Sequence, residues 1–380
     1  MIDIEYCKNC LYPETKPDLK FNQDGICSAC VAYKDRIKIN WKKREQAFKK
    51  IVKKYKTKNN YDCVIPVSGG KDSTYQVLKA YEYGLKPLCV NSTTCDLSPL
   101  GRRNLDNIKR LGFDLIEYSP NQKVRKKLNA IGLKVVGDIS WPEHIGIFTI
   151  PVTIAKKFNI KLIIWGENSQ NEYGGPWEKI NSKILDRKWL EEFGGLNGLR
   201  VSDLISNYNF KKKDILPYFY INNSLIKNLS GIFLGQFFKW EGENNSKISK
   251  QNGFEFHNKI VEGTSAHYEN LDNYHTGIHD YFKYLKYGFG RATDLVSMQI
   301  RRGKISRNEG IKEINKLEGF FPKTYLGKPT KKILEEINIS LSEFESICDK
   351  FTNKSIFKKN NKGQLLKDKI GNLIKDFEIK

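Results

Sequence analysis

The feature that most constrains this chain is the six-residue segment SGGKDS at 68–73, which lies between an apolar run at 61–67 and a helical pattern at 73–83. The apolar run is typical of a buried strand. Two adjacent glycines allow the backbone to approach a bound anion closely. The start of the following helix offers free N–H groups and the positive end of the helix dipole. The segment therefore predicts a phosphate-binding loop between a strand and a helix.

The surrounding pattern predicts an α/β fold with a doubly wound parallel sheet, because further predicted strands at 87–90, 114–118 and 161–165 alternate with helical patterns. In such a sheet, ligands bind at the carboxyl ends of the strands. Asn91 follows the second apolar run directly, and Gly166 with Glu167 follows the fourth. We expect these residues to line the same site as the loop.

The loop lacks the GxxxxGK[ST] spacing of a Walker A motif. It resembles instead the PP-loop of the ATP pyrophosphatases, a group that includes argininosuccinate synthetase, NAD synthetase and tRNA lysidine synthetase. The resemblance implies that the loop binds ATP, that pyrophosphate leaves and that AMP is transferred to a carbonyl or carboxyl oxygen. It also implies that Asp72 helps to hold Mg²⁺, and Lys71 adds a mobile positive charge. The predicted ATP-binding residues are Ser68, Gly69, Gly70, Lys71, Asp72, Ser73, Asn91, Gly166 and Glu167.

A second motif consists of two CxxC pairs near the N-terminus, Cys7 with Cys10 and Cys27 with Cys30. The 16 residues between the pairs (11–26) fall within the spacing of zinc ribbons. Four thiolates complete a closed, tetrahedral and structural Zn²⁺ site, and such a site stabilises a segment too small for a core of its own. A redox pair and an iron–sulfur cluster are the alternatives.

The formal net charge of +22 is compatible with a Lys-rich surface, a polyanionic small substrate or nucleic acid. The sequence contains no run of about 18 apolar residues that would predict a membrane span. Its acidic start does not resemble a signal peptide, so we expect a cytoplasmic protein without a membrane partner. The predicted organisation is a zinc-ribbon module at 1–35, a basic linker helix at 36–60, an ATP-binding domain at 61–175 and a mainly helical sugar-binding or partner region at 176–380.

Several further segments carry a narrower resemblance. They are Asn104-Leu105 after Gly101, WGEN at 165–168, GGLNGLR at 194–200, LGQFFKW at 234–240 and, most specifically, HDYFKYLKYGFGRATD at 279–294. With the loop and the cysteines, they make the chain similar to the N-acetyl sugar amidotransferase family over nearly its whole length. The resemblance implies ATP-dependent conversion of an acetamido group to an acetamidino group. The sugars concerned occur in lipopolysaccharide O-antigens and in the pseudaminic and legionaminic acids of flagella and cell surfaces.

The substrate is then expected to be an anionic sugar or a nucleotide sugar. Arg291, Arg301 and Arg302 are candidate anchors, since the guanidinium fork matches carboxylate and phosphate; a solvated basic helix end is the alternative for the last two. His279 and Asp280 are candidate proton-transfer residues, or else a helix cap. The predicted catalytic residues are Lys71, Asp72, Arg291, His279 and Asp280.

The reaction also needs ammonia, and a glutaminase releases it with an activated cysteine nucleophile. The cysteines outside the CxxC pairs lie in no glycine-flanked nucleophile turn, and residue 2 is Ile2, so processing would not expose an N-terminal cysteine. We therefore expect a separate glutaminase, with a channel-forming partner. The cysteines concerned are Cys63, Cys89, Cys95 and Cys348.

Two other functions fit part of the pattern. A tRNA-modifying enzyme of the thiolase or lysidine type would share the loop and suit the positive charge, but thiolation usually needs further paired cysteines, and no RNA-binding domain is apparent in the sequence. A nucleotide-binding regulatory subunit would release no AMP. Nucleic acid is therefore the less favoured partner.

Overall fold

The computed structural model describes residues 2–166 and 196–379. The predicted ATP-binding residue Glu167 and part of the WGEN and GGLNGLR segments lie outside the described residues. Five parallel strands form one sheet in the order β3-β2-β1-β4-β5. They are β1 Cys63–Pro66, β2 Pro87–Ser92, β3 Leu115–Tyr118, β4 Leu162–Trp165 and β5 Ser230–Phe233. The predicted parallel α/β sheet is confirmed.

Thirteen α-helices lie in the part of the chain that the structure describes, together with short 3₁₀ turns and an antiparallel pair, β6 Thr324–Tyr325 and β7 Lys328–Pro329. The helices before β5 are α1 Ser28–Ile37, α2 Trp41–Tyr55, α3 Lys71–Glu82, α4 Pro99–Arg110, α5 Gln122–Val136, α6 Trp141–Lys157 and α7 Asp203–Tyr208. Those after it are α8 Gly242–Gln251, α9 Thr276–Tyr287, α10 Arg291–Arg301, α11 Arg307–Leu317, α12 Thr330–Glu335 and α13 Leu341–Phe351.

The two faces of the sheet are covered by different helices. Alternate strand residues point to opposite faces, so Ile65 packs with α2, α3 and α4 on one face. Val64 and Ile163 pack with α6 on the other face. A parallel sheet that is buried on both faces needs nearly continuous apolar strands, which is why β1, β2 and β4 could be recognised in the sequence.

The fifth strand, β5, was not predicted. It begins Ser230-Gly231, so it lacks the composition of a typical buried strand. It pairs with β4 along its whole length, from Leu162 opposite Ser230 to Trp165 opposite Phe233. The sheet therefore extends past residue 175, the predicted end of the ATP-binding domain.

The C-terminal region contains helix α9, a glycine turn and helix α10, as its sequence pattern predicts. Helix α9 ends at Gly288, which has a φ of 77° and donates its N–H to the carbonyl of Tyr284 at 2.7 Å. Helix α10 then begins after Gly290. Within residues 2–166 and 196–379, no helix has the length and apolarity needed to cross a bilayer.

Candidate active-site cleft

The SGGKDS loop lies at the point where the strand order of the sheet reverses. The chain runs from β1 outwards through β2 and β3 and then returns to place β4 on the other side of β1. The loop follows β1 directly, and Gly166 follows β4. At such a reversal, the connections that follow the two central strands lead to opposite faces of the sheet. They leave a crevice between them at the carboxyl ends of the strands, where a ligand can bind. The topology thus brings together two of the segments predicted to bind ATP.

The two glycines have different structural roles in the loop. Gly69 has a φ of +84°, and a Cβ added to it would lie 2.6 Å from the backbone nitrogen of Leu105 in α4. Gly70 has an ordinary φ of −72° and stands at the N-cap of α3, where no side chain of the described residues caps the helix. The first turn of α3 therefore keeps its N–H groups available at the cleft, while α4 fixes the loop from behind.

Lys71 is not a mobile charge in this structure. Its side chain is 8% exposed, and its Nζ contacts a carboxylate oxygen of Asp72 at 2.6 Å and one of Glu269 at 2.8 Å. Burial lowers the pKa of Lys71, but attraction to the two carboxylates outweighs burial and raises it. The second oxygen of Asp72 accepts a hydrogen bond from Asn245 of α8 at 2.9 Å. Glu269 and α8 thus hold the start of α3 in place.

A cleft opens beside the loop. Its other walls come from the turn before α8, the segment 265–272 and one side of α10. Two of the arginines predicted to bind substrate, Arg291 and Arg302, line this cleft together with the loop. The charged residues of its lining are Lys71, Asp72, Glu243, Glu269, Asp272, Arg291, Arg302 and Lys304.

Arg291 is held in a defined orientation. Its Nη2 and Nε donate to the two carboxylate oxygens of Asp280 at 3.0 and 3.2 Å. Asp280 is buried; burial opposes its ionised form, but Arg291 lowers the pKa of Asp280 below its usual value. Arg302 donates from Nη2 to the backbone carbonyl of Trp240 at 3.4 Å. The LGQFFKW segment therefore supports the second arginine.

Asp272 also faces the cleft, and burial raises its pKa to about 6. Its backbone packs so tightly on α4 that a Cβ at Gly101 would lie 2.5 Å from the Cα of Asp272. A carboxyl group with a pKa near neutrality can exchange a proton during a reaction. Neither Asp272 nor Glu269 was identified from the sequence, because both lie in an irregular segment without a recognisable motif.

His279 points away from its neighbour Asp280 and into a different cluster. Its Nδ1 lies 2.8 Å from one carboxylate oxygen of Asp138, and the Nδ1 of His144 lies 2.9 Å from the other. The two imidazole rings are 5.0 Å apart. Burial opposes the ionised form of Asp138, but the two histidines lower its pKa well below the usual value. His279 and Asp280, which are adjacent in the sequence and both predicted to be catalytic, therefore contact different groups of side chains.

Polar atoms without partners lie at the carboxyl end of β2. Asn91 donates to the carbonyl of Val67 at 2.7 Å, but its side-chain oxygen is buried and has no hydrogen-bond partner among the described residues. The hydroxyl of Thr74 in α3 is also buried and has no hydrogen-bond partner among the described residues. Buried polar atoms usually have partners, so this edge of the sheet has unused capacity to bind a polar ligand. The hydroxyls of Ser92, Thr93 and Thr94 are likewise buried and unpartnered.

The four cysteines of the CxxC pairs form one buried cluster. The Sγ atoms of Cys7 and Cys30 are 3.8 Å apart, and those of Cys10 and Cys27 are 3.7 Å apart. A tetrahedral site with Zn–S bonds of about 2.3 Å has S–S edges of about 3.8 Å. The cluster therefore has the dimensions of a single zinc site, too small to surround an iron–sulfur cluster.

The cysteine module packs against α10, the helix that begins with Arg291. Tyr12 donates from its hydroxyl to Asp294 of α10 at 3.1 Å. Arg301, the third predicted anchor, lies with its guanidinium 5.2 Å from the centre of the Tyr12 ring and does not line the cleft. Although burial opposes its charge, Tyr12 and the nearby cysteines raise the pKa of Arg301. Arg301 therefore lies beside the cysteine cluster and not in the cleft.

Residues 262–370 match a family model described as LPS biosynthesis protein WbpG-like, C-terminal domain. The matched region contains α9, α10 and the segment with Glu269 and Asp272. It supports a role in the biosynthesis of lipopolysaccharide (LPS). No curated protein matches the sequence.

Proposed function

We propose that this protein is an ATP-dependent amidotransferase that converts the acetamido group of an anionic bacterial surface sugar to an acetamidino group. One observation carries the proposal: the SGGKDS loop and two arginines of the WbpG-like region line one cleft. A phosphate-binding loop alone would suit any nucleotide-dependent enzyme. Its opening towards Arg291 and Arg302 supplies a place for an anionic sugar next to the nucleotide.

The residues fit ATP at the carboxyl edge of the sheet. The uncapped start of α3 and the glycines of the loop suit its phosphates, and the unpartnered atoms after β2 suit the adenosine. Asp72 and Glu269 provide the carboxylate oxygens that Mg²⁺ prefers, at the cost of their contacts with Lys71. Zn²⁺ fits the cysteine cluster, where it would fix the module that supports α10.

The chemistry follows from the weak electrophilicity of an amide. The amide oxygen of the sugar attacks the α-phosphorus, pyrophosphate leaves at the loop, and ammonia adds to the activated carbon before AMP departs with the original oxygen. The loop and Lys71 stabilise the departing charge, while Arg291 and Arg302 orient the sugar. In this proposal Asp272, which lines the same cleft, takes a proton from the attacking nitrogen.

The ammonia comes from a separate glutaminase. Cys89 and Cys95 have pKa values raised by burial to about 12, and burial also raises the pKa of Cys63 and of Cys348. A glutaminase nucleophile needs a lowered pKa and an adjacent base. None of these four thiols has that character, so the proposed partner supplies the ammonia.

Incubation of the purified chain with ATP, Mg²⁺ and N-acetylated sugars, followed by mass spectrometry, tests this function. Ammonium is expected to support formation of AMP and of an amidine product, whereas glutamine alone is not. Arg302→Met should weaken use of the sugar while leaving ATP binding unchanged. Efficient use of glutamine by the isolated chain would contradict the separate glutaminase, and failure to form any AMP with the full panel of sugars would contradict the function.

A further inference from the structure

We propose that Asp138, His144 and His279 form a second metal site, which binds a divalent transition-metal ion such as Zn²⁺ independently of the cysteine cluster. The side-chain ligand atoms of the three residues all lie within 4.8 Å of one another. Two imidazole nitrogens and a carboxylate oxygen are the ligands of many zinc and iron sites. The proposal is independent of the ATP-dependent reaction.

Three separate elements converge to build this group. Asp138 lies in the turn between α5 and α6, while His144 and His279 each occupy the fourth position of their helices, α6 and α9. The carboxylate is fixed, because one of its oxygens also accepts the backbone N–H of Ser140 at 2.9 Å. This hydrogen bond holds the other carboxylate oxygen in a constant direction. Hydrogen bonds from surrounding residues orient metal ligands in the same way.

The contact between Asp138 and His144 is the observation that favours an ion over a simple hydrogen bond. The Nδ1 of His144 and the second oxygen of Asp138 are buried and only 2.9 Å apart. Even so, neither atom makes a hydrogen bond of acceptable direction within the described residues. Two buried polar atoms that lie close together without pairing are expected where a third group, such as a cation, binds both.

The dimensions require only a small adjustment. Tetrahedral coordination with bonds of about 2.1 Å gives ligand–ligand edges of about 3.4 Å, somewhat longer than the 2.8 and 2.9 Å contacts here. Both imidazoles are 29% exposed and have room to rotate away from the carboxylate. Without an ion, the contact of His279 is an ordinary hydrogen bond to Asp138, which is the competing interpretation.

The local charge permits a cation. Asp138 and the nearby Glu143 are both buried. Two cations among the described residues oppose this negative charge. They are Arg291, which is paired with Asp280, and Lys286, whose Nζ donates to the two backbone carbonyls that precede Asp138. Three protein ligands leave a tetrahedral ion at least one open position. That position would accept water, ammonia or a substrate oxygen.

The test is a count of metal ions in the untagged full-length chain. Elemental analysis after equilibrium dialysis against Zn²⁺ should give two ions per chain. His279→Ala and His144→Ala should each lower the count to one, and Cys7→Ser should remove the other ion. His267→Ala, at an exposed histidine, is the matched control and should keep both ions.

A second measurement does not depend on the folding of a variant. When Co²⁺ replaces Zn²⁺ in the wild-type chain, one equivalent should produce intense thiolate-to-cobalt charge-transfer absorption. The other should add only the weaker visible bands of nitrogen and oxygen ligands. One ion per wild-type chain, or two ions that persist in both histidine variants, would overturn the proposal. The histidines and Asp138 would then form only hydrogen bonds.

Discussion

Alanine substitutions at the two glycines of the phosphate loop should have opposite effects. We expect Gly69→Ala to lower stability and Gly70→Ala to abolish activity. In Gly69→Ala, the new Cβ would lie 2.6 Å from the nitrogen and 2.7 Å from the Cα of Leu105, both backbone atoms of α4. The backbone of a helix cannot move aside as a flexible side chain can. The loop and α4 must therefore separate, which damages the apolar face that α3 and α4 share.

The size of the effect follows from two contributions. A left-handed backbone conformation costs a residue with a Cβ about 1–2 kcal/mol, and overpacking of a close contact adds about 1–3 kcal/mol. Gly112→Ala isolates the first contribution, because Gly112 has nearly the same φ, +86°, and no atom of the described residues lies within 4 Å of its added Cβ. We expect a loss of about 1–2 kcal/mol for Gly112→Ala and about 2–5 kcal/mol for Gly69→Ala.

Gly70→Ala should behave in the opposite way. Its φ is ordinary, and the added Cβ meets only the side-chain oxygen of Ser68, at 3.2 Å. The cost in stability is therefore about 1 kcal/mol or less. The methyl group nevertheless occupies the place where the backbone must approach phosphate, so nucleotide binding and AMP formation should be lost.

Thermal unfolding of the three variants, with calorimetric titration of a non-hydrolysable ATP analogue, measures both effects. The reasoning is refuted if Gly69→Ala is no less stable than Gly112→Ala. It is equally refuted if Gly70→Ala binds the nucleotide as the wild type does.

Three further predictions concern the residues around the loop. Cys7→Ser should lower soluble yield and bound zinc together, as elemental analysis will show, because the module has no core of its own; unchanged yield would contradict a structural ion. Asp280→Asn removes the charged partner of Arg291, so the KM for the sugar should rise about ten-fold, equivalent to about 1.4 kcal/mol, while the KM for ATP stays constant; an equal rise in both would refute this role. Burial raises the folded-state pKa of Asp272 to about 6, which means that the fold favours the protonated carboxyl. The stability that results from this preference is fully present below about pH 4 and is lost as the pH rises through about 6. In Asp272→Asn, the fall in unfolding free energy between about pH 4 and 8 should shrink by about 1–3 kcal/mol; an identical pH profile would disprove the shift.

The sheet was predictable from the sequence to the extent that its strands are buried on both faces. Strands β1, β2 and β4 are largely buried and mainly apolar, so their position and order along the chain could be identified. Strand β5 carries Ser230 and Gly231 and depends on pairing with β4 rather than on its own composition. The position of β4 beside β1, which creates the crevice, is a long-range property that no local pattern encodes.

The site was predictable where a motif combines local geometry with chemistry. The loop and the cysteines have fixed spacings, and the structure places each as one unit. Arg291 and Arg302 reach the cleft but Arg301 does not, because successive residues on a helix point in different directions. Glu269 and Asp272 could not be found, since their position depends on the path of an irregular segment across α4.

The origin of the oxygen in AMP tests the central claim most directly. A sugar whose acetamido carbonyl carries a heavy oxygen isotope is incubated with the protein, ATP, Mg²⁺ and ammonium, and the AMP is analysed by mass spectrometry. If the amide oxygen attacks the α-phosphorus in the cleft beside residues 68–73, the label appears in AMP in proportion to the amidine formed. If amidine forms while the AMP stays unlabelled, the amide is not activated in this way and the account is wrong.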